Sequence, residues 1–154
     1  MAGTIRIVAV GRDRPGPFGE LTRDFLSRSQ RFAGVQLVRV KSSSSRRADD
    51  RRRDEAELLV EKSAGQSRTV ALDSRGAPLA SETFGRRLAR WRESSDVTLL
   101  VGGPDGLDPA LCERCDEVVS LGPMTLPHEL ALVVLLEQVY RALASDAGHP
   151  YARH

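Results

Sequence analysis

The sequence predicts an α/β fold: one largely parallel sheet of about five strands, with helices on both faces. Three observations predict it. Strand-like and helix-like segments alternate along almost the whole chain, the strand-like ones are β-branched runs that look buried, and glycine- and proline-rich loops follow the strand ends. No internal repeat interrupts the pattern.

Residues 4–10 form a β-branched run ending at Gly11, and residues 18–32 carry Phe18, Leu21, Phe25 and Leu26 at helical spacing. These predict a first strand and a first helix. Residues 35–41 read as the second strand, and the serines at 42–45 with the arginines after them read as a mobile loop whose composition resists folding. A helix over 49–64 ends at Gly65, a strand covers 68–73, and Ser74, Arg75 and Gly76 make a turn. The helix over 81–93 takes Ser81 as its N-cap and places Phe84, Leu88 and Trp91 on one face. A strand over 97–101 follows. Asp108 caps a short helix that has Pro109 in its first position, and a last strand spans 117–121. The helix over 127–145 has a broad apolar flank at Leu130, Val133, Val134 and Leu135, which implies burial on more than one side.

A length of 154 residues suits a single domain over 1–154, and 40% hydrophobic with 29% charged residues excludes a disordered or membrane-embedded chain. The longest apolar run, 131–136, is far short of a bilayer span, and the N-terminus lacks a signal peptide's apolar segment, so a cytoplasmic protein with no membrane partner is expected. A net charge of +2 names no partner. The basic residues are nevertheless unusual in kind: 23 basic residues less Lys41 and Lys62 leaves 21 arginines. One cluster is Arg46, Arg47, Arg51, Arg52 and Arg53, another Arg86, Arg87, Arg90 and Arg92. Each reads either as an RNA grip, since arginine's planar fork suits phosphate, or as a solvated helix face, which the interspersed Asp49, Asp50, Asp54, Glu55 and Glu57 favour. Cys112 and Cys115 form a Cys-x-x-Cys pair, but no second pair or nearby histidine completes a zinc site. No metal is expected. Their spacing suits the buried face of a short helix.

Two loops carry the chemistry. Leu99 to Leu107 contains Gly102-Gly103-Pro104-Asp105-Gly106, and Leu121-Gly122-Pro123-Met124-Thr125-Leu126-Pro127-His128-Glu129 leads straight into an apolar helix. Both lie beyond strand ends, where open α/β sheets place ligands, and Leu72-Asp73 marks a third such end. No phosphate-binding P-loop and no dinucleotide fingerprint is present. Nucleoside triphosphates and dinucleotides are therefore disfavoured, and a Gly-Gly-Pro turn alone is a weak signal.

The ordered series is more specific: Ile7-Val8-Ala9-Val10-Gly11, Leu72-Asp73 with Gly76, Gly102 to Leu107, Met124-Thr125-Leu126-Pro127-His128, Glu137-Gln138-Val139-Tyr140-Arg141-Ala142 and His149-Pro150-Tyr151. In this order it resembles the small SPOUT-superfamily methyltransferases that modify N3 of a pseudouridine in 23S rRNA. The resemblance implies a sheet whose C-terminal part forms a trefoil knot, a homodimer, the ribosome as partner, and S-adenosyl-L-methionine as cofactor. It assigns Leu72, Gly102, Gly103, Leu121, Gly122, Pro123, Met124, Thr125 and Leu126 to the cofactor, with Leu121, Met124 and Leu126 along its adenine and thioether. Methyl transfer needs the acceptor aligned and its proton removed, and the polar candidates for that catalysis are His128, Tyr151 and Arg153, with His149 and His154; the resemblance implies that one subunit's tail reaches the other's pocket. His128 reads equally as a substrate contact or as a capping or structural residue at a helix start.

Two positions depart from the family pattern: Leu132, where arginine is usual, and Ala152, where histidine is usual. The departures touch the acceptor side and spare the cofactor side. Three readings follow: rRNA methylation, a methyltransferase redirected to a small heterocyclic or nucleoside-like acceptor, and a non-catalytic module that binds cofactor or RNA.

Overall fold

The computed structural model describes residues 2–63 and 65–152. The strands β1 (Ile5–Val10), β2 (Val35–Val40), β3 (Ser67–Pro78), β4 (Asp96–Val101) and β5 (Glu117–Ser120) form one sheet in the order β2-β1-β4-β3-β5. Every pairing is parallel. Parallel neighbours cannot be joined by a tight turn, so a helix intervenes after each strand. These are α1 (Pro17–Ser29), α2 (Ala48–Lys62), α3 (Ser81–Ser94), α4 (Pro109–Arg114) and α5 (His128–Asp146), with a final 3-10 turn at Pro150–Ala152.

Alternate side chains of a strand point to opposite faces, and both faces are apolar here. On one face Ile5, Ile7, Val97 and Leu99 meet Phe84, Leu88 and Trp91 of α3 and Leu135, Leu136 and Val139 of α5, with Phe25 and Leu26 of α1 alongside. On the other, Val8, Val10, Ala71 and Leu100 meet Ala56 and Leu59 of α2 and Leu111 and Cys112 of α4. Two-sided burial is why β1 and β4 read as largely apolar runs, broken only by Arg6 in β1 and by Asp96 and Thr98 in β4. Helix α5 packs on the sheet between α1 and α3, and of its predicted flank Leu135 joins this core while Leu130 and Val134 stay half-buried.

Asp108 caps α4 as expected, its carboxylate accepting from the Ala110 N–H at 3.3 Å. Three expectations need correction. Residues 74–76 are not a turn: β3 continues to Pro78 through a register shift between Leu72 and Ala77, held by β5. Ala80, not Ser81, is the N-cap of α3, and no side chain caps that helix. The serine loop is tied down rather than free. Ser43 N–H donates to Glu55 Oε2 at 2.9 Å, and the Ser43 and Ser45 hydroxyls both donate to Asp54 Oδ2 at 2.7 Å. Short hydroxyl side chains find carboxylates on the neighbouring helix, a long-range pairing that loop composition does not reveal.

Gly76 lies where β3 is pressed against β5, and a Cβ there would stand 2.7 Å from the Val118 carbonyl carbon and oxygen. Gly76→Ala should lower stability by about 1–3 kcal/mol by overpacking. The denaturant midpoint reads this out, and a wild-type midpoint would show that the crossing accommodates a side chain.

Candidate active site

The carboxyl ends of β3, β4 and β5 open into a cleft of about 710 Å³. Leu72 pairs with Val101 of β4 and Val119 of β5, which brings the three strand ends level. The cleft is lined by Leu72, Gly102, Gly103, Leu121, Gly122, Pro123, Met124, Thr125 and Leu126, every residue expected to meet the cofactor, and by His128.

The first glycine loop is a closed turn. Gly106 N–H donates to the Gly103 carbonyl at 2.9 Å, with Pro104 in the position where its fixed φ favours a turn. The chain doubles back so tightly that a Cβ at Gly102 would stand 2.6 Å from the Gly106 carbonyl carbon, so only glycine fits. Arg51 of α2 holds this turn from outside. It forms a two-pronged ion pair with Asp105, at 2.7 Å through Nε and 3.0 Å through Nη2, and its Nη1 donates to the carbonyls of Ser45 and Arg46. The hydrogen-bonded pairing raises the Arg51 pKa and lowers that of Asp105.

The second loop is anchored at its start by Ser120, whose hydroxyl donates to the Gly122 carbonyl at 2.9 Å and accepts from the Gly122 N–H at 3.0 Å. Residues 123–126 belong to no helix or strand, which leaves their peptide groups free to meet a ligand. Met124 is 83% exposed and Leu121 38%, so the rim carries apolar side chains open to solvent.

Asp73, at the strand end the sequence marks, and Ser74, inside the bulged part of β3 whose composition suggests a turn, form a further wall of the cleft. Both Asp73 carboxylate oxygens accept from the Arg75 guanidinium, at 2.7 and 2.9 Å, and this bonding holds the Asp73 carboxyl below its ordinary value.

His128 is the first residue of α5, whose N-terminus has no side-chain cap. Its Nε2 lies 3.8 Å from where a Gly11 Cβ would stand, so the imidazole reaches toward the end of β1. Tyr151 is elsewhere. Its hydroxyl donates to Glu137 Oε1 at 3.0 Å, its ring packs tilted against Tyr140 with centroids 4.6 Å apart, and burial raises its pKa, so within one chain it does not reach the cleft. Arg153 and His154 lie outside the described residues. Leu132 is 2% exposed and part of the core, and Ala152 borders a separate groove between α3 and α5.

The arginine clusters divide. Arg51, Arg52, Arg87 and Arg92 contact acidic side chains or carbonyls of this chain, whereas Arg46, Arg47, Arg86 and Arg90 are exposed. Cys112 packs in the layer between the sheet and α2 and α4, and its thiol is pushed up to about 11, by burial first and by Asp73 next. Burial raises Cys115 as well.

A family profile described as Predicted SPOUT methyltransferase matches residues 4–152. The chain belongs to the SPOUT methyltransferase family. It is a methyltransferase, and S-adenosylmethionine is the methyl donor of this family. Among curated relatives, the ribosomal RNA large subunit methyltransferase H of Anaeromyxobacter sp. (strain Fw109-5) is 42% identical over 149 residues, 96% of this chain and 97% of that protein. The protein of the same name from Rhizobium meliloti (strain 1021) is 42% identical over 157 positions, 97% of this chain and 98% of that one. Two solved structures share the fold at low identity. A probable methylase family protein from Haemophilus influenzae Rd KW20 has a TM-score of 0.59 at 15% identity, covering 96% of this chain and 70% of that one. A SpoU methyltransferase from Streptomyces viridochromogenes, in complex with AdoMet, has a TM-score of 0.50 at 16% identity, covering 97% and 60%. Among the described residues no helix of this SPOUT protein is long and apolar enough to cross a membrane.

Two outcomes follow from this geometry. Arg51→Ala removes all four hydrogen bonds by which Arg51 holds the Gly103–Gly106 turn and the adjoining loop, and by lost preorganisation should weaken cofactor binding about three- to tenfold. Calorimetry with S-adenosylmethionine measures it, and unchanged affinity would sink the tether. The Cys112 thiol, raised on folding from 9.0 to about 11, favours its protonated form, so its contribution to stability is present below pH 9 and lost as pH rises through 11. At pH 8 it should alkylate more slowly in the native protein than in denaturant, and equal rates would refute the burial effect.

Proposed function

We propose that this SPOUT enzyme methylates N3 of a pseudouridine in large-subunit rRNA, as a one-domain protomer of a homodimer, with the cofactor in a knotted C-terminal pocket. The carrying observation is the convergence of nine expected cofactor residues and His128 on one cleft. Support for the acceptor comes from the names of the near-full-length relatives. A site in the cytoplasm, with the ribosomes, accords with that acceptor.

The residues present fit S-adenosylmethionine. The cleft volume falls within the roughly 300–1,000 Å³ usual for ligands of this size. Gly102 and Gly103 bring backbone to the cleft, Leu72, Leu121 and Leu126 supply apolar walls, and the unpaired peptide groups of 123–126 suit a purine edge. Bound there, the cofactor would supply an electrophilic methyl group. Asp73 and Asp105 are each committed to an arginine of this chain, so the pocket selects its ligand mainly by shape and backbone bonding.

His128 stands at the cleft wall at the start of α5, placed to orient a heterocyclic acceptor and to accept its proton. Tyr151 is held on the far part of α5, so its assignment to catalysis, with Arg153, is read as a contribution to the second subunit's pocket. Exposed Met124 and Leu121 at the cleft rim are apolar surface of the kind a second subunit covers. The knot reading rests on β5, which pairs beside β3 after the chain has passed through β4, and on the tight backbone crossing at Gly76.

Labelled cofactor should transfer its methyl group to large ribosomal subunits that lack the modification, and His128→Ala should lower that rate by about 10²–10⁴-fold while leaving cofactor affinity close to wild type. No transfer at saturating enzyme would refute the rRNA acceptor. Turnover of free nucleosides instead would assign a small heterocyclic acceptor.

A further inference from the structure

A second, smaller cleft adjoins the first. It lies beyond the ends of β1 and β2 and is lined by Arg12, Arg14 and Arg39, the first turn of α1, and Glu129 and Leu132 of α5. The two clefts share the start of α5: His128 and Ala131 face the cofactor cleft, while Glu129 and Leu132 face this one. On a helix these pairs lie on adjacent faces, so a ligand spanning both clefts would cross only the first turn.

Three features show a site built for an anion. Arg39 is half-buried on β2, and its Nε–H is buried with no hydrogen-bond acceptor among the described residues. Burial lowers its pKa, with Asp13 and Glu129 acting in the opposite direction. Arg12 and Arg14 are exposed on a loop that is tethered at two points: Asp13 accepts from Arg23 at 2.9 and 3.0 Å, and the Arg14 carbonyl lies against Gly19, whose Cβ would stand 2.2 Å from it. No side chain caps α1, whose first turn forms the cleft's third side. Glu129 opposes them with one negative charge, at 3.7 Å from Arg14 Nε. With the Asp13 charge matched by Arg23, the three cations against Glu129 leave a net positive cleft.

Its size suits a small anion. About 60 Å³ holds roughly four to six water-sized spheres, room for a phosphoryl group. We propose that the Arg12–Arg14–Arg39 cleft binds a backbone phosphate of the acceptor RNA strand beside the methylated nucleotide, and so positions that nucleotide against the cofactor cleft. This rests on the rRNA reading above. Arginine forks bind phosphate oxygens in pairs, and phosphate contacts set register without reading sequence. A free nucleoside would not use the site.

Two measurements test it. In the first, inorganic phosphate is titrated while the Arg39 Nε–H resonance is followed. A saturable shift, reduced in an Arg12→Gln/Arg14→Gln variant, supports a phosphate site, and no shift overturns it. In the second, methyl transfer to large ribosomal subunits is compared for wild type, Arg39→Gln and Arg39→Lys. The expected result for Arg39→Gln is a KM raised about tenfold, a salt dependence of log KM shallower by about one unit, and unchanged affinity for S-adenosylmethionine, which also certifies the fold. Arg39→Lys should recover part of the loss. Wild-type KM and salt slope in Arg39→Gln, with transfer intact, would overturn the phosphate anchor and leave the rRNA reading standing. Absence of transfer by the wild-type enzyme would instead remove the rRNA reading and, with it, the assignment of the phosphate to an acceptor strand.

Discussion

A parallel strand pair cannot be closed by a hairpin, so the chain must return across a helix before each strand can run the same way. In this protein all five strands obey that constraint, and all five carboxyl ends therefore fall along one edge of the sheet. The loops after β3, β4 and β5 have no other place to go. Their convergence makes the cofactor cleft, and the ends of β1 and β2 make the arginine-lined cleft beside it. Chemistry here depends on strand direction before it depends on any one side chain.

The loops at that edge are irregular, and irregular backbone must be held by something other than a ladder. The Gly103–Gly106 turn is closed by its own hydrogen bond and gripped by Arg51 through Asp105, and the next loop is pinned by Ser120. The same helix that provides Arg51 ties down the serine loop through Asp54 and Glu55. Glu55 is 3% exposed, and its Oε1 lies 3.5 Å from where a Gly103 Cβ would stand. Burial raises its pKa. Helix α2 thus acts as a brace on the cofactor loop, with several of its charged residues facing inward.

That inward use of charge explains where sequence reasoning stopped. Arg51 and Arg52 sit in a run of charges that reads as a solvated surface, yet they are bonded to Asp105, more than fifty residues away in sequence. The hydrophobic periodicities were legible because two-sided burial repeats at every strand and helix: Phe84, Leu88 and Trp91 point inward as their spacing predicts. The extension of β3 past Gly76 was not legible. Ser74, Arg75 and Gly76 have turn chemistry locally, and only pairing with β5 keeps them in the strand. The same pairing keeps Ser74 in the strand and so in the cleft wall, next to the Leu72-Asp73 strand end that the sequence marks.

By itself the sequence determined the order and type of the elements, the apolar layers, and the two loops that mark the cofactor cleft, because each of these follows from patterns within a few residues. It also carried the ordered motifs of the SPOUT family. Tertiary structure alone decided that those loops share one cleft, that Tyr151 lies against Glu137 rather than beside His128, and that Arg39 meets Arg12 and Arg14 beside Leu132. These are juxtapositions of residues distant in the chain. Their geometry is set by strand order and by helix packing on the sheet, which local propensity does not encode.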